Sequence, residues 1–392
     1  MRRRPFLVAA SATTVGLAGC TSAQERLGDV RRSAPERRVE ADWQPGPGTW
    51  AEDDYGPANR RYNPHATPPR TEPEIDWRYD LEDPLGDGSL VVANGTVYVT
   101  TQDRLVALDA ADGTRQWDYD LDSAARLKYV DGRLYQLHWG LQESTLVARS
   151  PTGDEQWRAT VPDQLTGVHE QRGYVFVAGR NRYWTLHADT GDIVRERELW
   201  VRNLASANGI LYAAFSDLLA SYEADGRTLT ERWRVQTKPA AEAGPPTIAD
   251  EQLYVPQYHP PADAATIIVS TVDGETQHSI ELEYGSVAIT AAESGPIVSP
   301  VATSGAALLA LEPDGSRRWS AEVSGAAGAI VADGTVYAGY PLTAMDADSG
   351  DRLWEWGGGR DGDDAVGTAR FAVADSTLYA STADNHIVAL RE

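Results

Sequence analysis

Short apolar runs separated by turn residues fill the chain from residue 71 to its end. Leu90-Val91-Val92, Val97-Tyr98-Val99 and Leu105-Val106-Ala107-Leu108 are representative. They are rich in β-branched and aromatic residues, too short for helices, and show no sustained 3.6-residue period, so they predict strands. Asn94-Gly95 lies between the first two runs, and such a pair closes a tight hairpin. The hairpin unit recurs as Asn94-Gly95-Thr96-Val97-Tyr98, Asp131-Gly132-Arg133-Leu134-Tyr135, Arg172-Gly173-Tyr174-Val175-Phe176 and Asn208-Gly209-Ile210-Leu211-Tyr212. It continues as Asp250-Glu251-Gln252-Leu253-Tyr254, a degenerate Ser294-Gly295-Pro296-Ile297-Val298, Asp333-Gly334-Thr335-Val336-Tyr337 and Asp375-Ser376-Thr377-Leu378-Tyr379. The ends of successive copies fall 36 to 44 residues apart.

A second signature follows in each repeat. Ala107-Leu108-Asp109 leads through Gly113 to Trp117, and Ala148 leads through Gly153 to Trp157. Ser221-Tyr222 leads through Gly226 to Trp233, Ala310-Leu311 through Gly315 to Trp319, and Ala344-Met345-Asp346 through Gly350 to Trp354. Two copies are degenerate, with Arg195 and His278 in the tryptophan's place. A period near 40 with four short strands per repeat predicts an all-β fold, the β-propeller. The last repeat reaches Ile387-Val388-Ala389-Leu390 without a tryptophan strand, and a spare one, Ile75-Asp76-Trp77-Arg78-Tyr79-Asp80, precedes the first. Pairing the two closes a ring and removes its free edges. The expectation is an eight-bladed propeller of four-stranded blades over residues 71–392, closed by pairing an N-terminal strand with the C-terminal blade. Seven blades with one outlying repeat is the alternative. The expected docking residues between blades are Trp77, Trp117, Trp157, Trp233, Trp319 and Trp354, each with a broad apolar face and one N–H to donate.

Residues 1–20 have a different pattern. Arg3-Arg4-Pro5-Phe6-Leu7 is similar to the twin-arginine export signal, Leu7 to Gly19 is uncharged, and Leu17-Ala18-Gly19-Cys20 is similar to a lipobox. These predict a signal peptide over 1–19, with Arg3 and Arg4 as its export signal and Cys20 as the lipidated residue. Residues 20–42 read as a polar, flexible tether. Residues 43–70, with Trp43, Trp50, Tyr55, Tyr62 and several prolines, form an extension outside the repeat. It is expected either to present aromatics to a partner or to cover apolar surface on the propeller.

Charge narrows the function. Asp+Glu number 58 against 35 Lys+Arg, a formal net charge of -23, and only Lys128 and Lys238 are lysines. A strongly acidic chain almost without Lys suits molar salt, where screening removes the self-repulsion, so a halophilic source is expected. Nucleic acid needs a basic footprint and is not expected as a partner. The one cysteine excludes an intrachain disulfide. The seven histidines form no His-x-x-x-His or His-x-His pair, and neither a Gly-rich phosphate loop nor a Gly-x-Ser-x-Gly elbow occurs. Neither catalytic nor metal-binding residues are expected. Arg360-Asp361-Gly362-Asp363-Asp364 is read as a solvated loop rather than a calcium site.

The Ala-Leu-Asp…Gly…Trp repeat resembles the tryptophan-docking repeats of the pyrroloquinoline-quinone (PQQ) type propellers. The resemblance implies two functions. One branch of that family is the quinoprotein dehydrogenases, which carry PQQ and calcium on the propeller axis. Another is scaffold lipoproteins, including the propeller lipoprotein of the bacterial outer-membrane assembly machine. Haloarchaeal lipoproteins with PQQ-like repeats have the same general look. The dehydrogenases usually pack a vicinal disulfide on the quinone, and some carry a haem at Cys-x-x-Cys-His. Neither occurs in this sequence. The expected function is therefore a cell-surface, lipid-anchored scaffold without cofactor or catalysis, on the extracytoplasmic face of the membrane. It would be monomeric and would hold an envelope protein. A PQQ- and calcium-dependent dehydrogenase with diverged ligands is the alternative, and a polysaccharide-binding propeller is a third reading.

Overall fold

The computed structural model describes residues 43–180, 182–199, 203–237, 240, 242–259, 264–283, 285–301, 307–323, 328–357 and 370–392. The described residues contain strands and turns but no helix. The chain folds as the expected eight-bladed β-propeller of four-stranded blades. Blade 1 comprises Leu90–Ala93, Thr96–Thr100, Arg104–Asp109 and Arg115–Asp120 in sequence order, each antiparallel to the next. The inner strands of blades 2 to 8 are Ala125–Val130, Leu165–Gln171, Leu204–Ala207, Thr247–Ala249, Ser286–Ala292, Ile330–Ala332 and Phe371–Ala374. Successive inner strands stand side by side around the axis, except that those of blades 2 and 3 are set wider apart, and Phe371–Ala374 returns to Leu90–Ala93. In blade 8 the outer strand is Glu74–Asp80, antiparallel to His386–Arg391, so the first and last parts of the ring share one sheet.

Turn chemistry explains the hairpins. Asn94 and Gly95 both have positive φ, 51° and 73°, the backbone of a two-residue turn whose twist matches the strands it joins. The same pair of positive φ values recurs at Asp131/Gly132, Arg172/Gly173, Asn208/Gly209, Asp250/Glu251 and Asp333/Gly334.

A feature absent from the pattern reading organises the outer half of each blade. The third and outer strands shift register at a β-bulge in all eight blades. The bulge sets each tryptophan opposite a small residue: Ala107↔Trp117, Ala148↔Trp157, Ser221↔Trp233, Ala310↔Trp319, Ala344↔Trp354 and Ala389↔Trp77. Where the tryptophan is replaced the partner is larger, Thr185↔Arg195 and Val269↔His278. A bulge re-aims a side chain, and here the indoles face the following blade. Trp117 donates to Pro151 O (3.3 Å), Trp157 to Ala188 O (2.7 Å), Trp233 to Val272 O (3.0 Å) and Trp319 to Ala347 O (2.9 Å). Trp354 donates to Pro69 O at 3.3 Å, because blade 8 has no continuous turn there and residues 69–73 and 392 stand in its place. Glu392 Oε1 bridges that gap by accepting the amides of Arg70 (2.7 Å) and Thr71 (3.0 Å).

Candidate functional site

The segment between Pro47 and Thr67 runs along the axis rather than along the outer flank of the propeller. Its backbone pairs with one blade after another. Trp50 exchanges two bonds with Val92 of blade 1 (2.7 and 2.9 Å), and Ala51 O accepts the amide of Tyr129 in blade 2 (2.7 Å). Pro57 O accepts Ser206 N in blade 4 (2.6 Å), Ala58 O accepts Ile248 N in blade 5 (2.9 Å), and Arg60 O accepts Ala291 N in blade 6 (2.9 Å). Arg61 O accepts Val331 N in blade 7 (2.9 Å), where Tyr62–Asn63 adds a parallel strand to Ile330–Ala332. Asp375, in the hairpin turn of blade 8, donates to Pro47 O (2.9 Å) and accepts from Thr67 N (2.6 Å). The inner edge of a blade would otherwise present unpaired amides, and this strap satisfies them.

Local sequence makes the strap possible. Prolines at 45, 47, 57, 64, 68 and 69 prevent it from continuing as an ordinary strand. Tyr55, Asn59 and Arg61 take positive φ, 80°, 53° and 50°, where the chain turns between blades. Two asparagines act as pins. Asn59 Nδ2 donates to Leu204 O (2.8 Å) and Pro246 O (3.0 Å). Asn63, fully buried, donates to Val373 O (2.9 Å) and accepts His65 N (3.0 Å). Trp50, also fully buried, packs its ring 5.2 Å from that of Tyr55.

The contacts at Val92, Tyr129, Ser206 and Ala291 fall toward the hairpin-turn end of the inner strands, so the strap closes the axis at that end. The opposite end is a cavity of about 670 Å³. Its floor is the strap's Glu52-Asp53-Asp54. Arg126, Lys128, Trp139, His169, Asn203 and the strap residue Asn59 are among those lining its walls. Glu52 pairs with Lys128 Nζ at 2.9 Å and Asp54 pairs with Arg61. Asp53 is less well matched. Its Oδ2 lies 3.9 Å from Arg126 Nε, and its buried Oδ1 accepts no hydrogen bond. Burial raises the Glu52 carboxyl against the pull of Lys128, and raises that of Asp53 against the pull of Arg370 and Arg126. His169, on the inner strand of blade 3, is 7 % exposed; burial, assisted by Lys128, lowers its pKa to about 3 and keeps it neutral.

The cavity shares Gln164, Leu165, Thr166 and Asn203 with a groove of about 930 Å³ between blades 3 and 4, whose walls carry Arg182, Glu198, Arg234 and Glu242. Together they form one concave, charged face opposite the hairpin turns.

The six docking tryptophans lie between blades, away from this face. Arg3, Arg4 and Cys20 lie outside the described residues, as do Trp200, Lys238 and the loop Arg360–Asp364. Trp184, off the docking register, is buried within blade 3 at 1 % exposure, whereas Trp139 lines the cavity with Arg126 stacked 5.0 Å above its ring. The sequence reading missed the strap's carboxylates and His169. The one available signal was three consecutive acids within an aromatic, proline-rich stretch.

Comparison with known proteins places this architecture. The family model described as outer membrane protein assembly factor BamB matches residues 71–138, 142–259 and 288–392. BamB from Moraxella catarrhalis superposes with a TM-score of 0.62 at 13% identity, covering 82% of this chain and 100% of that one. The quinohemoprotein alcohol dehydrogenase of Comamonas testosteroni superposes with a TM-score of 0.64 at 13% identity, covering 88% and 80%. Likeness at that identity shows a shared fold. The dehydrogenase subunit of the quinone alcohol dehydrogenase of Gluconobacter oxydans (strain 621H) is 28% identical over 169 residues, which is 39% of this chain and 21% of that protein. The match thus spans about a fifth of that curated relative.

Proposed function

This chain belongs to the repeat family of the outer membrane protein assembly factor BamB, and on that basis we propose that it is a non-catalytic scaffold that holds an envelope protein on the face opposite its hairpin turns. The observation that carries the reading is the strap. The axis, where the quinoprotein branch of the family keeps its cofactor, is taken at one end by the chain's own residues 47–67. At the other end it is floored by Glu52, Asp53 and Asp54. PQQ is a tricarboxylate and needs donors. The floor is made of the carboxylate residues Glu52, Asp53 and Asp54. The described residues also contain no group of three or more His, Cys, Asp or Glu placed to hold a metal ion. In this reading the acidic floor disfavours a tricarboxylate, although Arg126 and Lys128 stand in the walls beside it.

In this reading the twin arginines Arg3 and Arg4 direct export and Cys20 carries the lipid. Residues 20–42 form the tether that leads to the strap. The protein then sits outside the cytoplasmic membrane, and the concave face across blades 2 to 5 remains free for a partner. A strongly acidic surface keeps such a protein soluble in molar salt.

A photo-crosslinking amino acid at Asp217, in the groove, and another at Asp112, in a hairpin-side turn, test the reading in native membranes. Scaffolding by the concave face gives one adduct of defined mass from position 217 and none from 112. Identical adduct patterns from both positions, or none from either in folded protein, would overturn it. The dehydrogenase alternative is tested by adding PQQ and calcium to the folded protein and following absorbance. Saturable binding would favour that alternative.

A further inference from the structure

We propose that the groove between blades 3 and 4 takes an extended basic segment of the partner protein, whose lysine or arginine side chains meet Glu198, Asp217 and Glu242. This inference rests on the scaffold reading and names the chemistry of the partner.

The groove carries charges of both signs, but they do not match one another. Its two described arginines are bonded to acids on the outer strands of their own blades, Arg182 to Glu196 and Arg234 to Glu231. Glu198, Asp217 and Glu242 are exposed, and among the described residues none of the three has a side-chain hydrogen bond or an ion pair. They stand on three segments: the end of the outer strand of blade 3 (Ile193–Glu198), the turn before the third strand of blade 4 (Leu218–Asp225), and the short strand Glu242–Ala243 that leads into blade 5. Asn203 knits these segments together, its Nδ2 donating to Ala243 O at 2.6 Å and to Ala214 O at 3.4 Å, and Thr237 N reaches Asp217 O at 2.8 Å. A chain bearing several cations can meet each carboxylate in turn, where a single ion would meet one. A second copy of this protein is a poor occupant, because its net charge of -23 would repel the groove.

An independent group points to an occupant. Tyr222, on the third strand of blade 4, lines the groove and is 1 % exposed. Among the described residues nothing bonds to its hydroxyl, and that oxygen is not sealed from solvent. Buried hydroxyls in native proteins ordinarily have a partner. Burial raises the pKa of Tyr222 to about 12, so it keeps its proton and can donate to a peptide carbonyl or accept from an ammonium. Leu165, Leu199, Phe215 and Leu218 add apolar surface along which the stems of lysine or arginine can lie. Gln164, Leu165, Thr166 and Asn203 continue the groove into the axial cavity, which gives an extended segment a path toward the axis.

Fluorescence anisotropy on the full chain in molar KCl, where attraction is screened beyond about 3 Å, tests this directly. The probes are blocked, labelled pentapeptides in which leucine alternates with lysine, glutamine or glutamate. The lysine peptide is expected to bind saturably, the glutamine peptide more weakly and the glutamate peptide not at all. Affinity for the lysine peptide should fall about tenfold when Glu198→Gln, Asp217→Asn and Glu242→Gln are combined, and should fall in Tyr222→Phe. Combining Asp273→Asn, Glu312→Gln and Asp348→Asn removes the same charge from exposed turns at the hairpin end and should leave binding unchanged. The proposal is overturned if the folded wild type does not bind the lysine peptide, or binds the glutamine peptide as tightly. Equal losses in the two triple variants, or full affinity in Tyr222→Phe, also overturn it. The crosslink from position 217 separates this failure from that of the scaffold reading: a protein adduct there, without binding of the lysine peptide, leaves the scaffold standing and removes the basic segment.

Discussion

Trp77 gives its indole N–H to the carbonyl of Ala110 at 3.1 Å, joining the strand that opens the ring to the turn of blade 1. Tyr379 of blade 8 packs 5.9 Å from the Trp77 ring and directs its hydroxyl to the same carbonyl. Blade 8 therefore docks on blade 1 as the interior blades dock on one another, although its outer strand lies about 300 residues from its inner one. The ring closes by side-chain docking as well as by the pairing of Glu74–Asp80 with His386–Arg391.

Trp77→Ala is expected to destabilise the whole ring by about 3–5 kcal/mol, the usual cost of removing a buried aromatic. The loss should appear as one cooperative transition in denaturant, with the midpoint lowered. A separate early transition confined to blade 8 would mean that the closing blade is an independent unit.

The docking geometry gives a differential test at two glycines with positive φ. A Cβ at Gly191 would stand 2.4 Å from the Trp157 ring, whereas one at Gly226 would meet nothing within 4 Å, because blade 3 has Arg195 in place of a tryptophan. Both positions carry the same kind of backbone strain, with φ of 69° and 54°. Gly191→Ala should therefore cost more than Gly226→Ala by about 1–3 kcal/mol, the penalty of overpacking. Equal losses in thermal midpoint would show that the indole does not press on its neighbour's turn.

The ring was readable in the sequence because its signals are local. Asn94-Gly95 and its counterparts fix hairpins, and the spare Trp77 strand completes the deficient last repeat. The bulges were partly encoded, in the small residue that recurs at 107, 148, 221, 310, 344 and 389, but pairing register is a property of two strands and does not show in one. The strap was not readable. Its bonds join residues 47–67 to strands up to about 310 positions away, as from Asn63 to Val373, and its prolines suggest only the absence of regular structure. The site failed to stand out for the same reason: Asp53 and His169 lie 116 residues apart in sequence and line one cavity only because the strap crosses the axis.

Glu251 occupies the second position of its hairpin at φ 62°, where the corresponding hairpins of blades 1 to 4 carry glycine. Its side chain is exposed. Left-handed backbone costs a non-glycine residue about 1–2 kcal/mol, and glycine's greater freedom in the unfolded chain returns part of that. Glu251→Gly is expected to raise stability by roughly 0.5–1 kcal/mol by relieving the difference. A lower thermal midpoint would contradict the reading of this turn.

His169 links stability to pH. Its folded pKa of about 3 lies below its unfolded value of 6.5, so the unfolded chain binds the proton first. The stabilisation is complete above pH 6.5 and is lost as pH falls toward about 3, by up to about 5 kcal/mol at roughly 1.4 kcal/mol per unit. Glu52 and Asp53 act with the opposite sign, because their raised folded values favour the folded state as pH falls through and just above the ordinary carboxylate range. Stability of the wild type and of His169→Gln, measured from pH 7 to 4, should converge as pH falls, the wild type losing more. Parallel curves would place the histidine in a hydrated setting.

The strap's hold on the axis is the centre of this account, and hydrogen exchange resolved to single amides measures it on the unmodified chain. The inner-strand amides of Tyr129, Ser206, Ile248, Ala291 and Val331 have the strap's carbonyls as their partners. They should exchange as slowly as amides in the middle strands of their own blades. Rapid exchange at these five positions, with the neighbouring middle strands protected, would mean that the axis is open and would remove the ground for a scaffold whose binding face lies opposite a closed end.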